Sequence, residues 1–296
     1  MLNKRIAKLL GYSLLGVLAF GGCASVPASG SQLDLGLTAG ETNVKKIIAQ
    51  ADQKRSRGEI QGALVLYIEA SKITQDSHLW STIGQLQSTL DFNDQALVAY
   101  ERAITLDASN ADAYEGAGLI YLDTKSISNA KILLEKAVEL DPSRWRSHNG
   151  VGVIADLEQR YPAAIRHYQL GLEINPNSAM LMSNIGYSRY LAGDLVQAEH
   201  DFLSAISNDN GYETAWRNLG LVFARTGRYE EAVEVLQISS EEQVARNDVG
   251  YVALLNEDFK EAEALFDEAI RLSPRFYDTA HRNRELARNR MRSSTR

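Results

Sequence analysis

The chain has 296 residues, 45% hydrophobic and 23% charged, with a formal charge of −7. This balance excludes disorder over most of the length, and the acidic excess excludes nucleic acid as the main partner, because binding phosphates takes a net basic face. A single cysteine, Cys23, excludes an intramolecular disulfide and a CxxC zinc site, and five prolines with little strand-like alternation put the fold in the all-α class.

Residues 1–22 carry Lys4, Arg5 and Lys8, then an apolar run from Leu9 to Phe20, then two glycines before Cys23. The run is short for a bilayer span and fits a secretory signal peptide. Phe20-Gly21-Gly22-Cys23 resembles the bacterial lipobox, whose cysteine receives a diacylglyceryl group. The resemblance makes Cys23 the lipidation site and implies a covalent lipid with no other cofactor. Ala24 and Ser25 follow without an Asp, which resembles lipoproteins sorted to the outer membrane. A plain signal peptide, or an uncleaved anchor helix with a free thiol, is the alternative. Several acyl chains hold stably where one is marginal, since each buried methylene adds about 0.8 kcal/mol. Residues 23–43, rich in Ser, Gly and Ala, read as the lipidated cysteine and a flexible tether.

From residue 44 onward the chain repeats. Ala96, Ala130, Ala164, Ala198 and Ala232 are 34 residues apart, as are Gly84, Gly118, Gly152, Gly186 and Gly220. A fixed period of this length means a solenoid. Trp80, Tyr114 and Trp216 precede their glycines by four residues, and Tyr100, Leu134, Tyr168, Phe202 and Leu236 follow their alanines by four. Together they form the tetratricopeptide signature, and the fold implied is a right-handed superhelical solenoid of about seven helix-turn-helix repeats.

The expected repeats are 44–76, 77–110, 111–144, 145–178, 179–212, 213–242 and 243–276, with second helices closed by Asp141-Pro142, Asn175-Pro176 and Ser273-Pro274. In the first, Ala51 replaces the packing glycine. Ala232 and Ala262 are 30 residues apart; a loss of four residues is about one helical turn, so the register should survive and the curvature change. Ser239 and Ser240 before Glu242 and Gln243 have the spacing of a capping box. Residues 277–296 read as a solvated capping helix with a basic tail; contact of that tail with anionic lipid or an acidic partner is the alternative.

No catalytic or metal constellation stands out, so the chain does not read as an enzyme. The five histidines form no H-E-x-x-H pattern and no G-x-S-x-G elbow occurs. The glycine pairs Gly116/Gly118 and Gly150/Gly152 fall inside repeat helices, where they read as packing positions. His148, in the slot of Trp80 and Trp216, reads as a packing histidine.

The tetratricopeptide resemblance implies a concave groove lined by positions 2, 5, 9, 12 and 13 of each repeat. Those positions hold Leu119, Leu122, Val153, Leu157, Tyr187, Tyr190, Arg217, Leu221 and Tyr251, with Arg146, Asn149, Arg225, Leu254 and Leu255 among them. Tyr, Leu and scattered Arg suit an extended or helical peptide, because Tyr and Arg dominate hot spots. Packing between neighbouring helices is the other account of the apolar members. The paired Lys and Asn of a carboxylate clamp are missing, so a free acidic C-terminus is not the expected ligand.

The stretch from Tyr212 to Leu255 has Arg-x-Asn-Leu before an ordinary repeat, then a shortened link, then Asn-Asp-Val-Gly-Tyr. It resembles the TadD-like tetratricopeptide lipoproteins of the tight-adherence (Flp) pilus system. That resemblance implies an outer-membrane scaffold on the periplasmic face, pilotin-like, with the secretin or other pilus assembly components as protein partners. A type IV pilus pilotin, or a lipoprotein adaptor for peptidoglycan hydrolases and proteases, is the alternative.

Overall fold

The computed structural model describes residues 39–294, with side chains from Thr42. The signal segment, Cys23 and the tether up to residue 38 lie outside the described residues. Fifteen helices occur among the described residues. They are α1 (Ala39–Ser56), α2 (Ile60–Ser71), α3 (Ser77–Thr89), α4 (Asn93–Leu106), α5 (Ala111–Asp123), α6 (Ile127–Leu140), α7 (Trp145–Leu157), α8 (Tyr161–Ile174), α9 (Ala179–Ala192), α10 (Leu195–Asn208), α11 (Glu213–Arg225), α12 (Tyr229–Leu236), α13 (Glu242–Leu255), α14 (Phe259–Leu272) and α15 (Asp278–Ser294). They make seven helix pairs and a terminal helix. Two compact units divide at Ile154/Ala155, within α7.

Each pair is built on one contact. The repeating alanines Ala63, Ala96, Ala130, Ala164, Ala198, Ala232 and Ala262 are all 0% exposed, and the large side chain four residues later is buried each time. Burying such a side chain is worth roughly 1.5–3 kcal/mol. Only a small residue opposite it leaves room. A Cβ added at Gly84 would lie 2.8 Å from the Tyr100 ring, and one at Gly116 would lie 2.2 Å from Tyr100 Cζ. The same ring therefore wedges against its own repeat and against the first helix of the next. Leu134 does likewise, 2.7 Å from a Cβ at Gly118 and 2.6 Å from one at Gly150. Gly116, Gly118 and Gly150, three of the four glycines in the pairs that resemble phosphate loops, are thus accounted for by packing in the unit that ends at Ile154.

The turn inside each pair has a regularity the sequence hides. Gly58, Asp91, Lys125, Gln159, Gly193, Gly227 and Glu257 all have positive φ, between 61° and 91°. The next residue donates its N–H to the carbonyl five residues back, as Phe92 does to Gln87 (2.9 Å) and Arg228 to Phe223 (2.8 Å). This is the Schellman closure of a helix C-terminus. Four of the seven positions are not glycine, although the left-handed region costs an L-residue roughly 1–2 kcal/mol.

The shortened repeat loses its turn from α12, which has 8 residues where α10 and α14 have 14. The register survives, since Leu236 and Phe266 are still buried. The expected capping box does not form: Glu241 is the N-cap of α13 without a side-chain bond, and Ser240 Oγ donates back to Leu236 O at 2.8 Å. Arg246 ties the truncated region instead, pairing with Glu230 of α12 at 3.4 Å, with Glu242 of its own helix at 3.0 Å and with Glu268 of α14. The terminal α15 buries Ala280 and Ala287 and pins Arg284 to Asp267 and Arg288 to Glu263, each at 2.6 Å.

Candidate protein-binding face

Consecutive first helices touch: α3 with α5 in the unit ending at Ile154, and α9 with α11 and α11 with α13 in the unit starting at Ala155. In the former, Leu119 and Leu122 are half-buried and pack against Ala130, Leu134, Val151 and Ile154. Val153 is 7% exposed. These three serve the core as much as any surface. His148 is buried, with Nε2 3.1 Å from Pro142 O, and so has the packing role expected of its slot.

In the unit starting at Ala155, Leu157 is 48% exposed. Tyr187 is half-buried and stacks on Tyr190, ring centroids 6.2 Å apart at 16°. Tyr190 and Leu221 are buried, while Arg217, Arg225 and Tyr251 are half-buried. The sequence pattern thus brings Tyr187 and Tyr190 together, and leaves Leu221 mostly to packing.

Polar residues at the same positions escape a search for Tyr, Leu and Arg. Asp156, at position 12, accepts from Ser188 Oγ at 2.8 and 2.9 Å and from Tyr168 Oη at 2.9 Å. Burial outweighs those bonds and raises its pKa to about 6. Ser183 and Asn247 occupy position 5 on α9 and α13 and are buried. Asn247 donates to Asp248 Oδ1 at 3.2 Å and accepts from Asn283 Nδ2 of α15 at 3.1 Å. Burial pushes the Asp248 carboxyl up, while the Asn247 bond and the Arg217 charge pull it down. Asp156 carried a signal, polarity at position 12 where Leu122, Tyr190, Ala224 and Leu254 are apolar, whereas Ser183 and Asn247 stand at a position that is polar from the second repeat onward, with Ser81, Glu115, Asn149 and Arg217. Among the described residues no group of three His, Cys, Asp or Glu is placed to hold a metal, and no helix is long and apolar enough to cross a membrane.

Models of the tetratricopeptide repeat match residues 93–125, 111–144, 129–179 and 184–239. With the buried alanine and wedge of every pair, this gives the chain the tetratricopeptide-repeat fold. Among its relatives is the type IV pilus assembly protein PilF of Pseudomonas aeruginosa, 30% identical over 131 residues, covering 43% of this chain and 52% of that protein. Another is the BBSome complex member bbs-4 of Caenorhabditis elegans, 24% identical over 195 residues, covering 65% of this chain and 42% of that one. The chain thus spans about half the length of these curated relatives. Two solved structures share the fold. A tetratricopeptide repeat protein from Parabacteroides merdae has a TM-score of 0.58 at 16% identity, covering 83% of this chain and 99% of its own. The structure from the functional characterisation of Pseudomonas aeruginosa pilF has 0.53 at 17%, covering 67% and 92%.

Proposed function

We propose that this protein is a lipid-anchored scaffold, pilotin-like, that binds protein partners at the periplasmic face of an outer membrane during assembly of a tight-adherence (Flp) pilus or a related secretion system. The observation that carries the reading is the match to a type IV pilus assembly protein over 131 residues of the array. The lipobox-like segment ending at Cys23 supports the anchor. The secretin or another assembly component is the proposed partner. The Pseudomonas relative, a type IV pilus assembly protein, favours a type IV pilus as the second reading.

Cross-linking in cells followed by purification of the chain tests the partner. Secretin and pilus assembly proteins are the expected catch; recovery of peptidoglycan hydrolases or proteases in their place overturns the pilus reading in favour of a cell-wall adaptor. Cys23→Ser is expected to abolish palmitate labelling and release the protein from the membrane fraction, and persistent labelling removes the lipoprotein claim. The binding face is tested by Tyr187→Ala with Tyr251→Ala. The pair is expected to weaken partner binding by about 2 kcal/mol or more, as hot-spot aromatics do, with little change in melting. A large drop in Tm would make both tyrosines packing residues.

A further inference from the structure

Folding leaves two hydroxyls on this face unsatisfied, Ser183 Oγ and Tyr190 Oη, and Tyr190 stands on α9, which packs on α11, the helix that ends at Arg225. Tyr190 is 8% exposed, and its Oη is buried with no protein hydrogen-bond partner. An unpaired buried hydroxyl costs about 1–3 kcal/mol. Burial keeps the phenol neutral and so a donor, and the charge that acts on it is that of Arg225.

Arg225 is held from behind. Its Nη1 donates to Asn256 Oδ1 at 3.0 Å, while Asn256 Nδ2 donates to Ala224 O at 2.9 Å and to Tyr229 Oη at 3.1 Å. An amide oxygen fixes the guanidinium without neutralising it. Other arginines of the same unit have carboxylates: Arg189 has Asp201, Arg228 has Glu199 and Glu231, and Arg284 has Asp267. Arg225 has no carboxylate partner among the described ion pairs, although its fork is the one best shaped to grip one.

We propose that Tyr190 and Arg225 form a carboxylate-receiving subsite, which takes an Asp or Glu side chain from within a partner's polypeptide segment. The free edge of the Arg225 guanidinium engages the two carboxylate oxygens, and the Tyr190 hydroxyl, closed to solvent in the free protein, is uncovered as the segment binds and donates to one of them. Charge complementarity selects the acid. Tyr187, stacked on Tyr190, and the half-buried Tyr251 on α13 continue the face past the subsite with apolar area. A chain that runs on across that area presents an internal side chain rather than a terminus. The inference rests on the binding face proposed above and specifies its ligand chemistry.

The full-length protein is used to select binders from a phage-displayed library of random peptides about twelve residues long. The tightest binder is then resynthesised with each Asp or Glu changed to its amide, and separately with an amidated C-terminus. One acid-to-amide change is expected to weaken binding about tenfold or more, and C-terminal amidation to leave it unchanged. Tyr190→Phe and Arg225→Gln are each expected to lose a similar factor. On Arg225→Gln the acid-to-amide change should cost nothing further. Tyr190→Phe should melt at or above the wild-type temperature, because the hydroxyl it removes is unpaired in the free protein. Selected peptides without an acid, a loss that follows the C-terminal carboxylate, or full-strength binding to Tyr190→Phe would each overturn the subsite. If Tyr187→Ala with Tyr251→Ala abolishes binding while Tyr190→Phe and Arg225→Gln retain it, the face binds peptides but holds no carboxylate subsite. If every variant binds like the wild type, the binding face falls too.

Discussion

The unit ending at Ile154 and the unit starting at Ala155 use the same helix pair but differ in how they treat charge. In the first, Glu115 receives a hydroxyl from Ser147 at 2.7 Å and faces the Arg144 guanidinium at 3.4 Å. In the second, Asp156 receives two hydroxyls and no cation, and its pKa rises to about 6. Hydroxyls satisfy the oxygens of a carboxylate but do not offset the cost of removing its charge from water. The outer faces differ in the opposite sense. Two residues after the packing alanine the first unit shows Val65, Val98 and Ile132, each about two-thirds exposed, where the second has Arg166, His200 and Glu234.

The largest effect expected on this comparison is that of Phe202→Ala. It removes a wedge that is 0% exposed and should cost roughly 3–5 kcal/mol. Hydrogen exchange should show the loss in α9 to α12, with α1 to α4 protected as before, because repeats are stabilised mainly by their neighbours. Equal loss everywhere would show the two units to be one cooperative block. Gly116→Ala is its counterpart in the first unit. The added methyl must displace the Tyr100 ring, at roughly 1–3 kcal/mol, read by denaturant unfolding.

The two carboxylates predict opposite responses to replacement by an amide. Because the folded pKa of Asp156 lies above its unfolded value of 3.8, the protonated form is favoured by folding. Its contribution is fully present below the unfolded value and is lost as pH rises through about 6, amounting to roughly 1–3 kcal/mol. Asp156→Asn should flatten that slope and leave the protein as stable or more stable at neutral pH. Glu115→Gln should cost stability at neutral pH, since it strips Arg144 of a partner. Stability changes of the same sign for the two variants at neutral pH would remove the distinction. The smallest effect is expected from Val98→Ser with Ile132→Ser, within about 0.5 kcal/mol each because these side chains stand in solvent. A larger loss would mean that the exposed aliphatics are covered in solution.

The alanine spacing, the wedge four residues later and the unbroken register across the shortened link were all legible in the sequence. Helix periodicity is a local property, and a small residue opposite a large one repeats visibly. The binding face was legible only as a set of positions. Position 9 holds Tyr187, Leu221 and Tyr251, yet Leu221 is 5% exposed while the two tyrosines are half-buried. Equal register does not give equal exposure, because burial depends on the side chains of the neighbouring helices. The partners of Asp156 were not legible either, since Ser188 lies 32 residues away on the next first helix.

By itself the sequence determined that the chain is a helical repeat array and that the glycine pairs lie on helices rather than in phosphate loops. These follow from spacing alone, because each repeat packs mainly on itself and its neighbours. Only the tertiary structure decided the rest. It showed that a left-handed residue closes each turn even where Asp91, Lys125, Gln159 or Glu257 stands in place of glycine, because the closing bonds come from the helix they end. It also separated Arg225, braced by an amide, from arginines neutralised by carboxylates. The same side chain is a structural tie or a free cation according to what the adjacent helix places beside it, and no periodicity along one helix contains that information.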